Sequence, residues 1–251
     1  MILTERKMSG VAIIIPARFN SSRFPGKSLE MIDEFNVIQT VYLVASRVNN
    51  ADKVIVVTDD KRIAESVESV GGLAIISQGI HDNGTSRIAE IANGFSEYEY
   101  VVNLQGDEPF INSKDVEVLI ENLKKGQAEI VTLIKNCNEE EFHDPNCVKV
   151  VIGLDGRALY FSRASIPFRS TESSNYKHIG IYGFQRKTLL ELVTLEPTLL
   201  EISERLEQLR WIENGYSIQT VLTDHESIGI DVPSDLVKAK AYHRSNSHLD
   251  Q

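Results

Sequence analysis

The stretch "VAIIIPARFNSSRFPGKSL", residues 11–29, decides the reading of this chain. Residues 11–15 are uniformly apolar and mostly β-branched, the pattern of a strand covered on both faces, as in the centre of a parallel sheet. The next ten residues then carry Arg18, Arg23 and Lys27, together with Ser21-Ser22 and Pro25-Gly26. Arginine offers a planar fork to phosphate oxygens, lysine a compact charge, and Gly26 a close approach of the backbone. A buried strand that opens into such a loop makes a cradle for an anion. The spacing is neither Gly-x4-Gly-Lys-Ser/Thr nor Gly-x-Gly-x-x-Gly, so it is not one of the common nucleotide loops. The alternative is a solvated turn that happens to be basic.

Working outward, apolar β-rich runs alternate with helical patterns. Residues 53–57 and 73–76 read as further strands, and residues 38–49, 61–70 and 85–93 as helices. Residues 100–104 form another strand, ending in Gln105-Gly106-Asp107-Glu108-Pro109. This is an α/β, doubly wound, mostly parallel sheet, in which ligands gather at the carboxyl ends of the strands. The second half differs. Residues 147–152 and 158–161, joined through Asp155-Gly156, read as a hairpin. Residues 168–177 read as a polar surface loop, 178–184 as a strand, and 187–195 and 202–214 as helices, with a frayed tail from Tyr242.

Composition bounds the function. The chain has 251 residues, 42% hydrophobic and 25% charged, enough for one large domain with a sizeable core. A formal net charge of −10 argues against broad nucleic-acid binding, which depends on neutralising phosphates. No apolar run approaches the ~18 residues of a membrane span, and the opening residues lack the order of a secretory signal. A cytoplasmic protein with no membrane partner is expected. Cys137 and Cys147 have no companions at zinc spacing and read as reduced thiols.

Three more stretches carry candidate chemistry. Asp107 follows a buried strand beside the proposed phosphate cradle, where Mg²⁺ would need a carboxylate; the alternative is a β-turn shaped by Gly106 and Pro109. Asp231, in "GIDVPSD", offers a second carboxylate, or else Asp231 or Ser234 caps a last helix opened by Pro233. The turn His81 to Arg87, with Asn83 and Thr85, suits a helix cap or a nucleotide contact equally. His178 reads as structural, and Glu204 to Arg210 as an ion-paired helix face. No Ser-His-Asp or Cys-His arrangement has local support.

Taken in order, "IPARFNSSRFPGKSL", "VVTDD", "HDNGTSR", "VNLQGDEPFI", "DPNCVKVV", "ALYFSRASIPF", "KHIGIYGF", "LEQLRWIENGY" and "GIDVPSDL" resemble the 3-deoxy-manno-octulosonate (Kdo) cytidylyltransferase family. The resemblance runs from residue 11 to about residue 240. It implies a nucleotide-diphospho-sugar transferase, Rossmann-like fold with a smaller hairpin and dimerisation subdomain. A single domain, residues 11–241, would have a nucleotide-binding half to about residue 135 and sugar-binding and dimerisation elements beyond, with flexible ends at 1–10 and 242–251.

The same resemblance implies that CTP and an eight-carbon acidic sugar give the CMP-sugar and pyrophosphate, for lipopolysaccharide core synthesis. Arg18 and Lys27 match triphosphate-binding positions, with Arg23 in the same loop, and Asp107 and Asp231 match Mg²⁺ ligands. Gln105, Arg163, His178, Tyr182, Glu207 and Gln208 match positions associated with the sugar, and a homodimer is implied. Two departures bear on the sugar. Asn83 and Ser86 stand where the family has serine and glutamate, and Phe168 with a short polar run replaces the tryptophan and longer loop after Ile-Pro. They leave Kdo and 8-amino-8-deoxy-Kdo as the sugars implied, with sialic acid, or a non-catalytic nucleotide-binding regulator, as the alternatives.

Overall fold

The computed structural model describes residues 10–79, 81, 83–168 and 175–246. Its first strand, β1 (Gly10–Ala17), is buried at every position after Gly10, as the apolar run requires. Because side chains alternate across a strand, Val11, Ile13 and Ile15 enter one core while Ala12 and Ile14 enter another. On the first face lie α1 (Val37–Ala45), α2 (Lys61–Glu68) and α4 (Ser113–Lys124), through Val41, Val67 and Leu119 among others. On the second lie α3 (Gly84–Gly94), α6 (Arg186–Leu192) and α8 (Gln208–Glu213), through Ile88, Leu189 and Trp211.

The remaining strands are β2 (Lys53–Thr58), β3 (Ala74–Ile76), β4 (Tyr98–Asn103), β5 (Ile130–Asn136), β6 (Lys149–Ile152), β7 (Ala158–Ser162), β8 (Tyr176–Gln185) and β9 (Ile218–Leu222). Sheet order is β3-β2-β1-β4-β8-β5-β9, with β6 and β7 branching from β8. β1, β2, β3 and β4 are mutually parallel, as are β5 and β9. β8 runs antiparallel to both β4 and β5, so the sheet is mostly parallel with one inverted strand near its middle. The predicted hairpin is β6 and β7, paired antiparallel. Among the described residues no helix is long and apolar enough to cross a membrane.

Several expectations are corrected. Residues 202–214 are not one helix: Arg205 takes a left-handed φ of 56°, dividing α7 (Leu199–Glu204) from α8. The break lets Glu204 turn onto the hairpin, accepting from Ser162 Oγ at 2.6 Å and Arg163 N at 2.9 Å. Tyr176 and Lys177 belong to β8 rather than to a loop; residues 169–174 of that expected loop lie outside the described residues. The tail does not fray at Tyr242, because α9 (Pro233–Asn246) continues and the Tyr242 ring packs on Phe110 with centroids 5.0 Å apart. Pro233 does open that helix. Of the expected flexible ends, residues 1–9 and 247–251 lie outside the described residues. The sequence reading assigns none of α4, β5, α5 (Glu139–His143) and β9.

Candidate active site

The basic loop is folded by its own backbone. Phe19 O accepts from Ser21 N at 3.0 Å and from Gly26 N at 2.8 Å, and Gly26 adopts φ +76°, a conformation that favours glycine. The Phe19 ring carries the Arg62 guanidinium 3.6 Å from its centroid, and Phe19 N donates to Asp59 Oδ1 at 3.3 Å. The loop is thereby fastened to the corner between β2 and α2. Arg18 and Arg23 are exposed at its rim, whereas Lys27, opening a 3-10 turn (Lys27–Leu29), is buried.

The carboxylates come from opposite ends of the chain. The exit of β4 runs hard against that of β1: a Cβ on Gly106 would lie 2.7 Å from Pro16 O, so only glycine fits and Asp107 is delivered beside the cradle. Asp231 arrives on a strap between β9 and α9 that is pinned along its length. Thr223 N donates to Ile134 O at 2.9 Å, and Thr223 Oγ1 to Asp115 Oδ2 at 2.6 Å. His225 Nδ1 lies 3.0 Å from Asp115 Oδ1, and Glu226 pairs with Lys135 and Lys177. Ser227 donates to Glu108, and Ile230 N to Asp107 O at 2.9 Å. Ile230 is buried with Ile32, Val37, Leu236 and Ala239. The capping reading of Asp231 gives way, since Asp235 Oδ2 accepts from Asp231 N and Val232 N, both at 3.1 Å.

The Asp231 carboxylate is engaged elsewhere. Lys27 Nζ donates to Asp107 Oδ2 at 2.5 Å, to Ile230 O at 2.7 Å and to Asp231 Oδ1 at 3.1 Å, while Arg23 Nη2 lies 2.9 Å from Asp231 Oδ2. Three hard oxygen donors thus converge on one cationic point. Among the described residues no group of three His, Cys, Asp or Glu side chains forms a metal site. A divalent ion here would take two carboxylates and complete its shell with substrate oxygens and water, the habit of Mg²⁺; the donor set fits it. Glu108, behind Asp107, is pushed up to about 7 by burial first and by the charges of Asp107 and Asp231 next.

A second group adjoins the first. Asn83 caps α3, accepting from Ser86 N at 2.8 Å, and its Nδ2 donates to Glu207 Oε1 at 2.9 Å; Thr85 Oγ1 donates to Glu207 Oε2 at 2.6 Å. Burial raises Glu207 above the usual carboxylate range against these hydrogen bonds. Arg18, Arg23, Lys27, Asn83, Gln105, Asp107 and Asp231 line one cleft. Thr85 and Glu207 join it through Asn83. Arg163, His178, Tyr182 and Gln208 do not line that cleft. His178 and Tyr182 belong to an aromatic cluster with Phe161, Phe184 and Trp211, in which burial holds His178 down to about 3, hence neutral. Its Nε2 lies 2.9 Å from Thr132 Oγ1. The Tyr182 hydroxyl is buried and has no hydrogen-bond partner among the described residues. Arg163 donates from Nε to Glu204 O at 3.0 Å and from Nη1 to Pro145 O at 3.1 Å, and Gln208 is buried at the start of α8.

The site also contains Arg87 and His81, the ends of the turn read as a helix cap or a nucleotide contact, and Asp59, to which the sequence reading gave no role. Arg87 lines the cleft, donating to Ser77 Oγ at 2.8 Å and Asp59 Oδ2 at 2.9 Å, so Asp59 joins the basic loop to α3. His81 lines it too, held by Glu90 at 2.5 Å. The signal for Asp59 was its position just past a parallel strand, where such sheets gather function.

Comparison with known proteins follows the same lines. A family model described as cytidylyltransferase matches residues 12–228. A 3-deoxy-manno-octulosonate cytidylyltransferase of Pelobacter propionicus is 42% identical over 250 residues, covering 94% of this chain and 98% of the relative. Another of that name, from Thermodesulfovibrio yellowstonii, is 44% identical over 243 residues, covering 90% of this chain and 95% of the relative. A solved structure of CMP:2-keto-3-deoxy-manno-octonic acid synthetase complexed with CTP matches with a TM-score of 0.90 at 37% identity, over 95% of this chain and 100% of that one.

Proposed function

The chain belongs to the cytidylyltransferase family, and from that premise we propose that it joins CTP to Kdo, releasing pyrophosphate and forming the CMP-sugar for lipopolysaccharide core synthesis. The observation that carries the reading is the single cleft in which Arg18, Arg23 and Lys27 face Asp107 and Asp231 at the exits of β1 and β4. The relatives' names and the CTP complex of the similar structure support it.

The anomeric hydroxyl of the sugar attacks the α-phosphorus of CTP in line with the leaving pyrophosphate, losing its proton as the bond between the α-phosphorus and the bridging oxygen breaks. Such a reaction asks the protein chiefly for alignment and charge neutralisation. Arg18, Arg23 and Lys27 hold the triphosphate, and Asp107 and Asp231 hold Mg²⁺. When bound, that ion supplies neutralisation of phosphate charge and eases loss of the hydroxyl proton. Gln105 at the exit of β4, and Asn83, Thr85, Glu207 and Gln208 on the side of α3 and α8, orient the substrates. Arg163 supplies the charge for the sugar carboxylate, because His178, held neutral, can offer only a hydrogen bond. The Tyr182 hydroxyl, which has no hydrogen-bond partner among the described residues, supports a sugar hydroxyl docking beside it.

Further parts of the reading are a cytoplasmic homodimer, a nucleotide-binding half to about residue 135, and sugar-binding and dimerisation elements beyond. The exposed Leu154 and Leu159 of the hairpin and Leu199 and Ile202 of α7 support the dimer. 8-Amino-8-deoxy-Kdo is the second sugar, on one observation: Asn83, at the family's serine position, reaches Glu207 with an amide. The test is Mg²⁺-dependent pyrophosphate release from CTP with Kdo, 8-amino-Kdo and sialic acid side by side. Kdo with the highest kcat/KM is expected; no release with either eight-carbon sugar refutes the reading.

A further inference from the structure

The ammonium of Lys27 sits where the oxygen donors of Asp107, Asp231 and Ile230 converge, at 2.5, 3.1 and 2.7 Å, and the lysine is only 7% exposed. Arg23 covers the other oxygen of Asp231 at 2.9 Å. We propose that Lys27 is a built-in stand-in for the divalent cation, which closes the metal site of the free protein until a nucleoside triphosphate draws the lysine away. The inference rests on the reading of Asp107 and Asp231 as metal ligands.

Charge balance gives the reason. In the free protein two cations, Lys27 and Arg23, meet two carboxylates, Asp107 and Asp231, and the group is neutral. A divalent ion entering alone would have to share ligands with an ammonium already seated among them. Their mutual repulsion at such short range opposes it, and expelling the lysine would strand a buried charge with no partner. A triphosphate changes the alternatives. Its oxygens give Lys27 and Arg23 new anions, the carboxylates are released together, and a metal brought by the nucleotide finds them free. Every ion pair broken is replaced by another, so exchange proceeds without leaving an uncompensated charge.

The geometry suits such an exchange. Lys27 lies in the same cleft as the phosphate-holding Arg18, so its long side chain needs only to turn within the site rather than leave it. Asp231, half exposed and carried on a strap, can turn with it, while Ile230 stays anchored in its apolar cluster. Metal and nucleotide binding are therefore positively coupled through Lys27, by linkage in both directions.

The test reads metal binding rather than turnover. Mn²⁺ is titrated into the protein, with free ion followed by electron paramagnetic resonance, using wild type alone, wild type with CTP and no sugar, Lys27→Met, and Lys27→Met/Asp107→Asn. Expected are weak binding to wild type alone and tight binding with CTP beyond what CTP binds by itself. Lys27→Met without nucleotide should gain affinity by about tenfold or more, within the usual range of coupling between two sites. The double variant should lose that gain. Lys27→Gln repeats the measurement if Lys27→Met fails to fold. If neither folds, wild type decides, and tight Mn²⁺ binding without nucleotide overturns the proposal. Equal, measurable affinity in wild type and Lys27→Met also overturns it while leaving the metal reading intact. No Mn²⁺ bound by any form beyond that held by CTP overturns the metal reading and the proposal with it.

Discussion

Replacing Glu108 by glutamine should change how stability depends on pH. Burial, reinforced by the neighbouring charges of Asp107 and Asp231, pushes the Glu108 carboxyl from its ordinary 4.5 up to about 7, against a short hydrogen bond from Ser227. The folded state then holds the proton more tightly than the unfolded state does. Stability rises with pH only where the unfolded state binds more protons, so here it falls as pH climbs from 4.5 to 7. A displacement of that size corresponds to about 3 kcal/mol, from about 1.4 kcal/mol per pH unit. Glutamine keeps the shape and cannot ionise. Urea denaturation of metal-free wild type and Glu108→Gln, in a chelator, at steps from pH 4.5 to 8, isolates the contribution. The variant should gain on wild type by about 3 kcal/mol across that window, most of it between pH 5 and 7. A difference that stays flat refutes the claim that a buried, charge-crowded carboxylate stands behind Asp107.

Three further outcomes are expected. Asp107→Asn should lower kcat by about 10²–10³ or more, the range for losing one electrostatic contact to a transition state, with an unchanged circular dichroism spectrum. Arg18→Ala should weaken CTP binding by about tenfold in calorimetry, as expected for one charge-assisted contact, whereas Arg47→Ala, an exposed arginine outside the cleft, should not. Tyr182→Phe should leave stability unchanged or raise it by about 1 kcal/mol, because it removes a buried hydroxyl with no partner among the described residues. The same variant should raise KM for the sugar several-fold and leave KM for CTP alone.

The parallel half of the fold was legible because its signals are local. A run such as residues 11–15 can only be buried on both faces, and each strand exit announces itself through glycine, aspartate or proline. The second half resists the same treatment. Nothing in "HIGIYGF" says that β8 enters the sheet antiparallel between β4 and β5, since the alternation of a strand carries no direction. The division at Arg205 was equally hidden. Its partners are tertiary: Glu204 is drawn to the hairpin at Ser162, while Arg210 of α8 folds back to pair with Glu201 of α7 at 2.5 Å across the break. The break separates Glu204, held on the hairpin, from Glu207, which reaches Asn83 and Thr85 of α3.

The basic loop and the two acidic turns were each ambiguous alone, since a solvated turn, a β-turn and a helix cap explain them equally well. Their ambiguity is removed by contact rather than by composition. Asp231 lies far from Lys27 in sequence, and the strap that carries it is held by Asp115, Lys135, Lys177 and Glu108, residues from four separate segments. Such a strap has no periodicity to read, because each of its residues answers to a different neighbour. Chain entropy opposes ordering it, and that series of hydrogen bonds together with the burial of Ile230 favours it. The acidic strap therefore also explains the basic loop: cations that would repel one another on a solvated turn are held together by the carboxylates brought to them. On the proposed function, a cleft built of mutually neutralised pairs would exchange those partners for a triphosphate and its metal.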